Sequence, residues 1–125
     1  MSTILIADDS PTMRRSIEMS LTLAGHTVVT AEDGQAALDL LNGGLRPDLL
    51  LTDIMMPRLD GLALSAAARQ LLRFTPIVAL TTQGQRGLRD RAKAAGATAW
   101  MIKPVGGNEL LKLIAEYLGN TAPVR

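Results

Sequence analysis

The sequence predicts an α/β fold, a doubly wound parallel five-stranded sheet with helices on both faces. Five short apolar runs alternate along the chain with five segments whose apolar residues recur at helical spacing. Two of those runs, Leu49-Leu50-Leu51 and Ile77-Val78-Ala79-Leu80, have no polar face, which suits strands of a parallel sheet covered on both sides. Regular alternation of strand and helix then requires right-handed crossovers, which carry the helices to the two faces.

Thr3-Ile4-Leu5-Ile6-Ala7 is the first run and stops abruptly at Asp8-Asp9-Ser10-Pro11. Ser10 is an N-cap and Pro11 suits the first helical position, so a helix is expected from Pro11 to about Ala24. Met13, Ile17, Leu21 and Ala24 would face the sheet and Arg14, Arg15 and Glu18 the water, with Gly25 as the stop. Thr27-Val28-Val29-Thr30-Ala31 is β-branched and more polar, as an edge strand should be. His26 before it reads as a turn residue.

Asp33 is expected to cap a second helix, with Ala36, Ala37, Leu40 and Leu41 inward and Asn42-Gly43-Gly44 at its end. The central strand then runs to Thr52-Asp53, and Met56-Pro57 prevents its continuation, because proline lacks the ladder donor. Asp60-Gly61 opens a third helix with Leu64, Ala67, Ala68 and Leu71 inward and Arg69 and Arg73 outward. Pro76 breaks it and introduces the strand that ends at Thr81-Thr82. Gly84 to Gly87 loops into a fourth helix, with Leu88, Ala92 and Ala95 inward, Arg86, Arg89 and Lys93 on a solvated face, and Gly96 at its close. Thr98-Ala99-Trp100-Met101-Ile102 is the fifth strand and stops at Lys103-Pro104. A last helix from about Asn108 to Leu118 turns Leu110, Leu111, Ile114 and Leu118 inward, and residues 121–125 read as a loose C-terminal tail.

The 125 residues suit a single domain, expected over residues 1–120, with no output domain. Phe74, Trp100 and Tyr117 are the only aromatics, so the core must be aliphatic. A formal net charge of +1 leaves no broad electrostatic footprint for nucleic acid or a membrane surface. The absence of cysteine removes disulfides and thiolate metal sites and fits a reducing compartment. Nothing resembles a signal peptide or approaches membrane-spanning length, so a cytoplasmic location is expected.

In an open parallel sheet the residues just after each strand gather along one edge, where such folds bind ligands. That edge would collect Asp8 and Asp9, Asp53, Thr81 with Thr82, and Lys103. Each alone reads as a turn former or a surface charge; together they are harder to dismiss. Two carboxylates about 4 Å apart repel by on the order of 4 kcal/mol at an effective dielectric of roughly 20, so a cluster of three asks for a cation. Oxygen ligands without His or Cys favour Mg²⁺, completed by a phosphoryl group on a carboxylate nucleophile.

The set Asp8-Asp9-Ser10, Asp53 with Met56-Pro57, Asp60-Gly61, Thr81, Ala95-Gly96-Ala97 and Lys103-Pro104 runs in one order over essentially the whole chain. It resembles the response-regulator receiver domains, and among them CheY-like single-domain chemotaxis regulators. The resemblance implies a flavodoxin-like sheet of strand order 2-1-3-4-5. It implies a two-component phosphorylation switch rather than a metabolic enzyme, one that assists its own phosphotransfer and autodephosphorylation. Asp53 would accept the phosphoryl group from a histidine kinase. Asp9 and Asp53 would bind Mg²⁺ directly with the Met55 backbone carbonyl, and Asp8 through water. Lys103 would pair with the phosphoryl group, next to a cis bond to Pro104. Thr81 would be the switch hydroxyl, and Trp100 the aromatic whose rotamer reports the switch.

Several positions depart from the family pattern or vary within it. Trp100 is bulkier than the usual aromatic, Met55 and Gln83 occupy variable positions that affect phosphoaspartate hydrolysis, and Gly106-Gly107 replaces a polar cap, leaving Asn108 to cap the last helix. The expected partners are a chemotaxis-type histidine kinase, a flagellar motor switch protein or other docking target, and a phosphatase, with the protein itself a monomer. Alternatives are a phosphorelay shuttle or phosphate sink, and a phosphate-independent pseudo-receiver, against which the intact Asp8, Asp9, Asp53, Thr81 and Lys103 argue. A haloacid-dehalogenase-type phosphatase would need an acid two residues after the nucleophile, where Ser10 or Met55 stands. Gly84-Gln85-Arg86-Gly87 matches the G-x-x-G of KH domains but follows an apolar strand, against an RNA-binding role.

Overall fold

A computed structural model describes residues 2–82 and 86–118. The order is β1 (Thr3–Ala7), α1 (Pro11–Leu23), β2 (Thr27–Ala31), α2 (Gly34–Asn42), β3 (Leu49–Asp53), α3 (Gly61–Leu71), β4 (Ile77–Thr81), α4 (Arg86–Ala94), β5 (Ala99–Ile102) and α5 (Gly107–Tyr117). The five strands form one parallel sheet in the order β2-β1-β3-β4-β5, so the more polar second run does lie at an edge. Among the described residues, no helix is long and apolar enough to cross a membrane.

The uninterrupted apolar runs serve two cores at once, because successive side chains of a strand point to opposite faces. Ile4, Ile6, Leu49, Leu51, Val78 and Leu80 meet Ile17 and Leu21 of α1 and Leu110 and Ile114 of α5 on one face. Leu5, Ala7, Leu50 and Ile77 meet Ala37 and Leu41 of α2 and Leu64, Ala68 and Leu72 on the other. A smaller cluster of Ile54, Ala79 and Ala92 lies beneath α4, with Trp100 packed against it.

Helix starts follow the capping residues. Ser10 accepts the Met13 N–H at 3.3 Å, Asp33 the Ala36 N–H at 2.7 Å and Asp60 the Ala63 N–H at 2.8 Å. The α5 start differs from expectation: Gly106 stands at the cap, no side chain caps there, and Asn108 lies inside the helix. Glu109 in the first turn puts a carboxylate near the free N–H groups, so the helix start is compensated by charge rather than by a cap bond. Two helix ends also shift. Ala24 is an exposed C-cap, and Leu72 beyond α3 is buried while Leu71 sits at the rim.

Arg69 is not the outward, water-facing arginine that helical spacing predicts. Its guanidinium folds back under the end of α3, donating to the carbonyls of Leu72 at 2.8 Å, Arg73 at 3.1 Å and Thr75 at 2.8 Å. On its other side it donates to Gly96 O at 3.2 and 2.7 Å. The charge thus satisfies helix-terminal carbonyls and ties α3 to the turn before β5. Arg69→Ala is expected to lower the unfolding free energy by about 2 kcal/mol, and exposed Arg73→Ala by less than about 0.5 kcal/mol; urea unfolding of the two variants checks the contrast.

Candidate functional site

Strand register brings the predicted residues together. Ala7 is level with Ala31 and Thr52, Asp53 with Leu80, and Thr81 with Ile102, so the residues that follow these positions share one edge. Backbone bonds continue the alignment past the strands: Ile54 N–H donates to Leu80 O at 3.0 Å and Lys103 N–H to Thr81 O at 2.7 Å. The Lys103–Pro104 bond is cis, as the resemblance implies.

Lys103 Nζ lies 2.9 Å from Asp53 Oδ2 and 3.6 Å from Asp8 Oδ2. Asp8, Asp9 and Asp53 each present a carboxylate oxygen within 4.8 Å of the others. Asp8, Asp53 and Thr81 are buried while Asp9 is exposed, so the cluster opens to solvent on the Asp9 side. Burial raises the Asp53 carboxyl above the ordinary aspartate value, and repulsion from Asp8 and Asp9 adds to this against the opposing pull of Lys103. For Lys103, burial pulls the ammonium down, but its bond to Asp53 and attraction to Asp53 and Asp8 outweigh this and hold it above the ordinary lysine value.

Asp8 Oδ1 accepts the Ser10 N–H at 2.9 Å, whereas its buried Oδ2 has no hydrogen-bond partner. A buried carboxylate oxygen left unsatisfied beside two further acids is the donor set a hard divalent cation completes, so these residues fit a Mg²⁺ ion. Arg14, expected in water, reaches back from α1 and donates to Asp8 O at 2.7 Å, fixing the backbone of the acidic turn. Asp53 is held from below: the Gly61 N–H donates to Ile54 O at 2.8 Å, and a β-carbon at Gly61 would overlap the Asp53 carbonyl.

Trp100, half-buried, packs against Ile54, Ala79 and Ala92, and the guanidinium of Arg89 lies 4.5 Å from its ring centroid. The supposedly solvated face of α4 therefore touches the aromatic. The Met55 side chain is 67 % exposed. Gln83, the Gly84-Gln85 part of the G-x-x-G stretch, the Arg86 side chain and the tail lie outside the described residues. Sequence reading missed Arg14, and also Arg58, whose side chain pairs with Asp33. A helical pattern shows which way an arginine leaves its helix, not where its long stem carries the charge.

The family model for the response regulator receiver domain matches residues 4–115. Among curated proteins, the response regulator MprA of Mycolicibacterium vanbaalenii is 38% identical over 120 residues, covering 96% of this chain and 52% of that protein, and its counterpart in Mycobacterium avium matches equally. The chain therefore spans about half the length of these relatives. Among solved structures, the chemotaxis protein CheY4 of Vibrio cholerae superposes with a TM-score of 0.88 at 35% identity, covering 94% of this chain and 98% of that one. The receiver domain of sensor histidine kinase PA1611 from Pseudomonas aeruginosa, with a magnesium ion coordinated in its active site cleft, does so at 0.86 and 30% identity, covering 94% and 98%.

Because the raised Asp53 holds its proton more tightly folded than unfolded, the stability it contributes is complete below the unfolded value of about pH 4 and is lost as pH rises through the higher folded value. Asp53→Asn, which mimics the neutral acid, should therefore raise the thermal unfolding midpoint of the metal-free protein at pH 7, and the difference should shrink on acidification to about pH 4. Scanning calorimetry across that range is the check; a neutral-pH variant less stable than the parent refutes the electrostatic account.

Proposed function

The chain belongs to the response regulator receiver domain family, and on that premise we propose that it is a two-component phosphorylation switch whose phosphoacceptor is Asp53. The observation that carries this reading is the convergence of Lys103 Nζ and of Asp8 Oδ2, which has no hydrogen bond, on the Asp53 carboxylate. Receiver domains take phosphoryl groups from histidine kinases and bind Mg²⁺ at an acidic pocket. Here Asp9, Asp53 and the Met55 carbonyl would hold the ion, with Asp8 acting through a bound water. When bound, it offsets negative charge on the phosphoryl oxygens.

In the transfer, an Asp53 oxygen forms a bond to phosphorus as the bond from phosphorus to the kinase histidine nitrogen breaks, the nitrogen keeping the electron pair. The Lys103 ammonium, already at Asp53, pairs with the incoming phosphoryl oxygens. The Thr81 hydroxyl moves toward them, and Trp100 follows, shifting an existing equilibrium at the groove that Arg89, Trp100, Leu113 and Tyr117 line between α4, β5 and α5. The protein turns over no external metabolite. Hydrolysis of its own phosphoaspartate resets the switch, and the Met55 side chain shields that bond from water.

For the output, we favour docking to a chemotaxis target such as the flagellar motor switch in the cytoplasm. Support comes from the Ser10-Pro11-Thr12-Met13-Arg14-Arg15 and Trp100–Pro104 segments and from the likeness to CheY4. The likeness to MprA favours a second reading, the same switch working outside chemotaxis.

Incubation with Mg²⁺ and a small phosphodonor is expected to add the mass of one phosphoryl group to the parent and none to Asp53→Asn, with a change in Trp100 fluorescence in the parent alone. Intact mass unchanged in the parent would refute the reading. Met55→Asn is expected to shorten the phosphoaspartate lifetime severalfold; an unaltered dephosphorylation time course would remove Met55 from the shielding role.

A further inference from the structure

Directly behind Asp53, the segment from Ile54 to Asp60 leaves the sheet and returns into α3. Arg58 within it has φ +70°, the single non-glycine residue with positive φ among those described. The Leu59 N–H donates to Pro57 O at 2.7 Å, closing a turn around Arg58 alone. A turn of this size with positive φ at its centre is the rare, strained γ form. Strain of this kind persists only when neighbouring structure over-determines it.

The neighbour that does so is the start of α2. Arg58 Nε donates to Asp33 Oδ2 at 2.8 Å, and Nη2 donates to the same oxygen. Asp33 is buried, and its other oxygen caps α2 through the Ala36 N–H. The bond to Ala36 and then the pairing with Arg58 hold its carboxyl below the ordinary aspartate value. Beside it, Gly34 lies so close to the segment that a β-carbon there would overlap the Leu59 carbonyl. The segment is thus pinned by Gly61 against Ile54 and Asp53 at its end, and by Arg58 and Gly34 against α2 in its middle. Met55 lies between Asp53 and the Arg58 turn.

We propose that Arg58 and Asp33 are a positioning pair for the divalent cation: by holding the strained turn, they set where the Met55 carbonyl stands and so tune Mg²⁺ affinity from outside the pocket. This rests on the reading of the acidic cluster as a Mg²⁺ site. Electrostatics alone argues the opposite for one variant, since removing a cationic side chain near a metal site tightens cation binding. A loss of affinity in Arg58→Ala therefore isolates positioning from charge.

The test is calorimetric titration of MgCl₂ into the parent, Arg58→Ala, Asp33→Asn, the double variant and Arg69→Ala, all folded at the working temperature. Asp33→Asn keeps an oxygen to cap α2, and Arg69→Ala reports destabilisation away from the pocket. The expected result is a Kd raised on the order of tenfold in Arg58→Ala and Asp33→Asn, a double variant no weaker than the weaker single, and Arg69→Ala unchanged. A Kd for Arg58→Ala within about twofold of the parent, or an equal loss in Arg69→Ala, overturns the positioning pair while leaving the switch intact. A parent that binds no Mg²⁺ overturns both.

Discussion

One ammonium group allows three carboxylates to share the edge of this sheet. Lys103 stands within 4 Å of two buried acids, and without it Asp8 and Asp53 would confront each other in a medium far less polar than water. The pairing is incomplete: one Asp8 oxygen stays unsatisfied and Asp53 remains shifted toward its neutral form. Such a pocket carries a deficit of positive charge that a divalent cation relieves. Buried Asp8 and Asp53 have little freedom to separate, because Asp53 ends a fully buried central strand and Asp8 follows directly on β1. Sheet topology therefore imposes the electrostatic problem, and the ligand chemistry answers it.

Much of this was legible in the sequence because the informative residues lie at strand ends, where periodicity breaks. Leu49-Leu50-Leu51 can be read as a two-faced strand without knowing its neighbours, and Asp53 must then emerge at the ligand edge. What stayed hidden depends on side-chain reach. Arg14 and Arg69 occupy polar faces of their helices, as the pattern says, yet their guanidinium groups bond carbonyls of the acidic turn and of the β5 approach. Asn108 seemed the natural cap because glycine offers no side chain, but the backbone at Gly106 is already extended and Glu109 supplies the charge. Leu72 displaced Leu71 from the core because the chain leaves helical geometry there, which a helical period cannot anticipate.

The fold is unequally tied on its two sides. Toward α2, the segment after Asp53 is fixed by close backbone contacts at Gly34 and Gly61 and by the ion pair of largely exposed Arg58 with buried Asp33. Toward α4, the apolar cluster contains, among the described residues, only Ile54, Ala79 and Ala92 as buried members, with Leu88 and Trp100 partly buried around it. Less apolar area is lost when that side rearranges, so it opens at lower free energy than either main core. A charge change at Asp53 would then be transmitted toward α4 and β5 because the opposite direction is blocked.

Trp100 sits where this asymmetry becomes usable. Its indole bridges the small cluster and the Arg89 guanidinium, a stack worth about 0.5–1 kcal/mol at a partly exposed site. Under the proposed switch, an inward movement of the ring would forfeit that stack and would have to be driven by new contacts at Thr81 and Asp53. The cost is small compared with the several kcal/mol needed to invert a two-state equilibrium, so the stack would bias the proposed switch without locking it. A smaller aromatic would make a weaker stack, and a position without a cation above it none. Under the proposed switch, bulk at Trp100 and charge at Arg89 would act together, both favouring the half-buried, stacked arrangement until a phosphoryl group reached the acidic pocket.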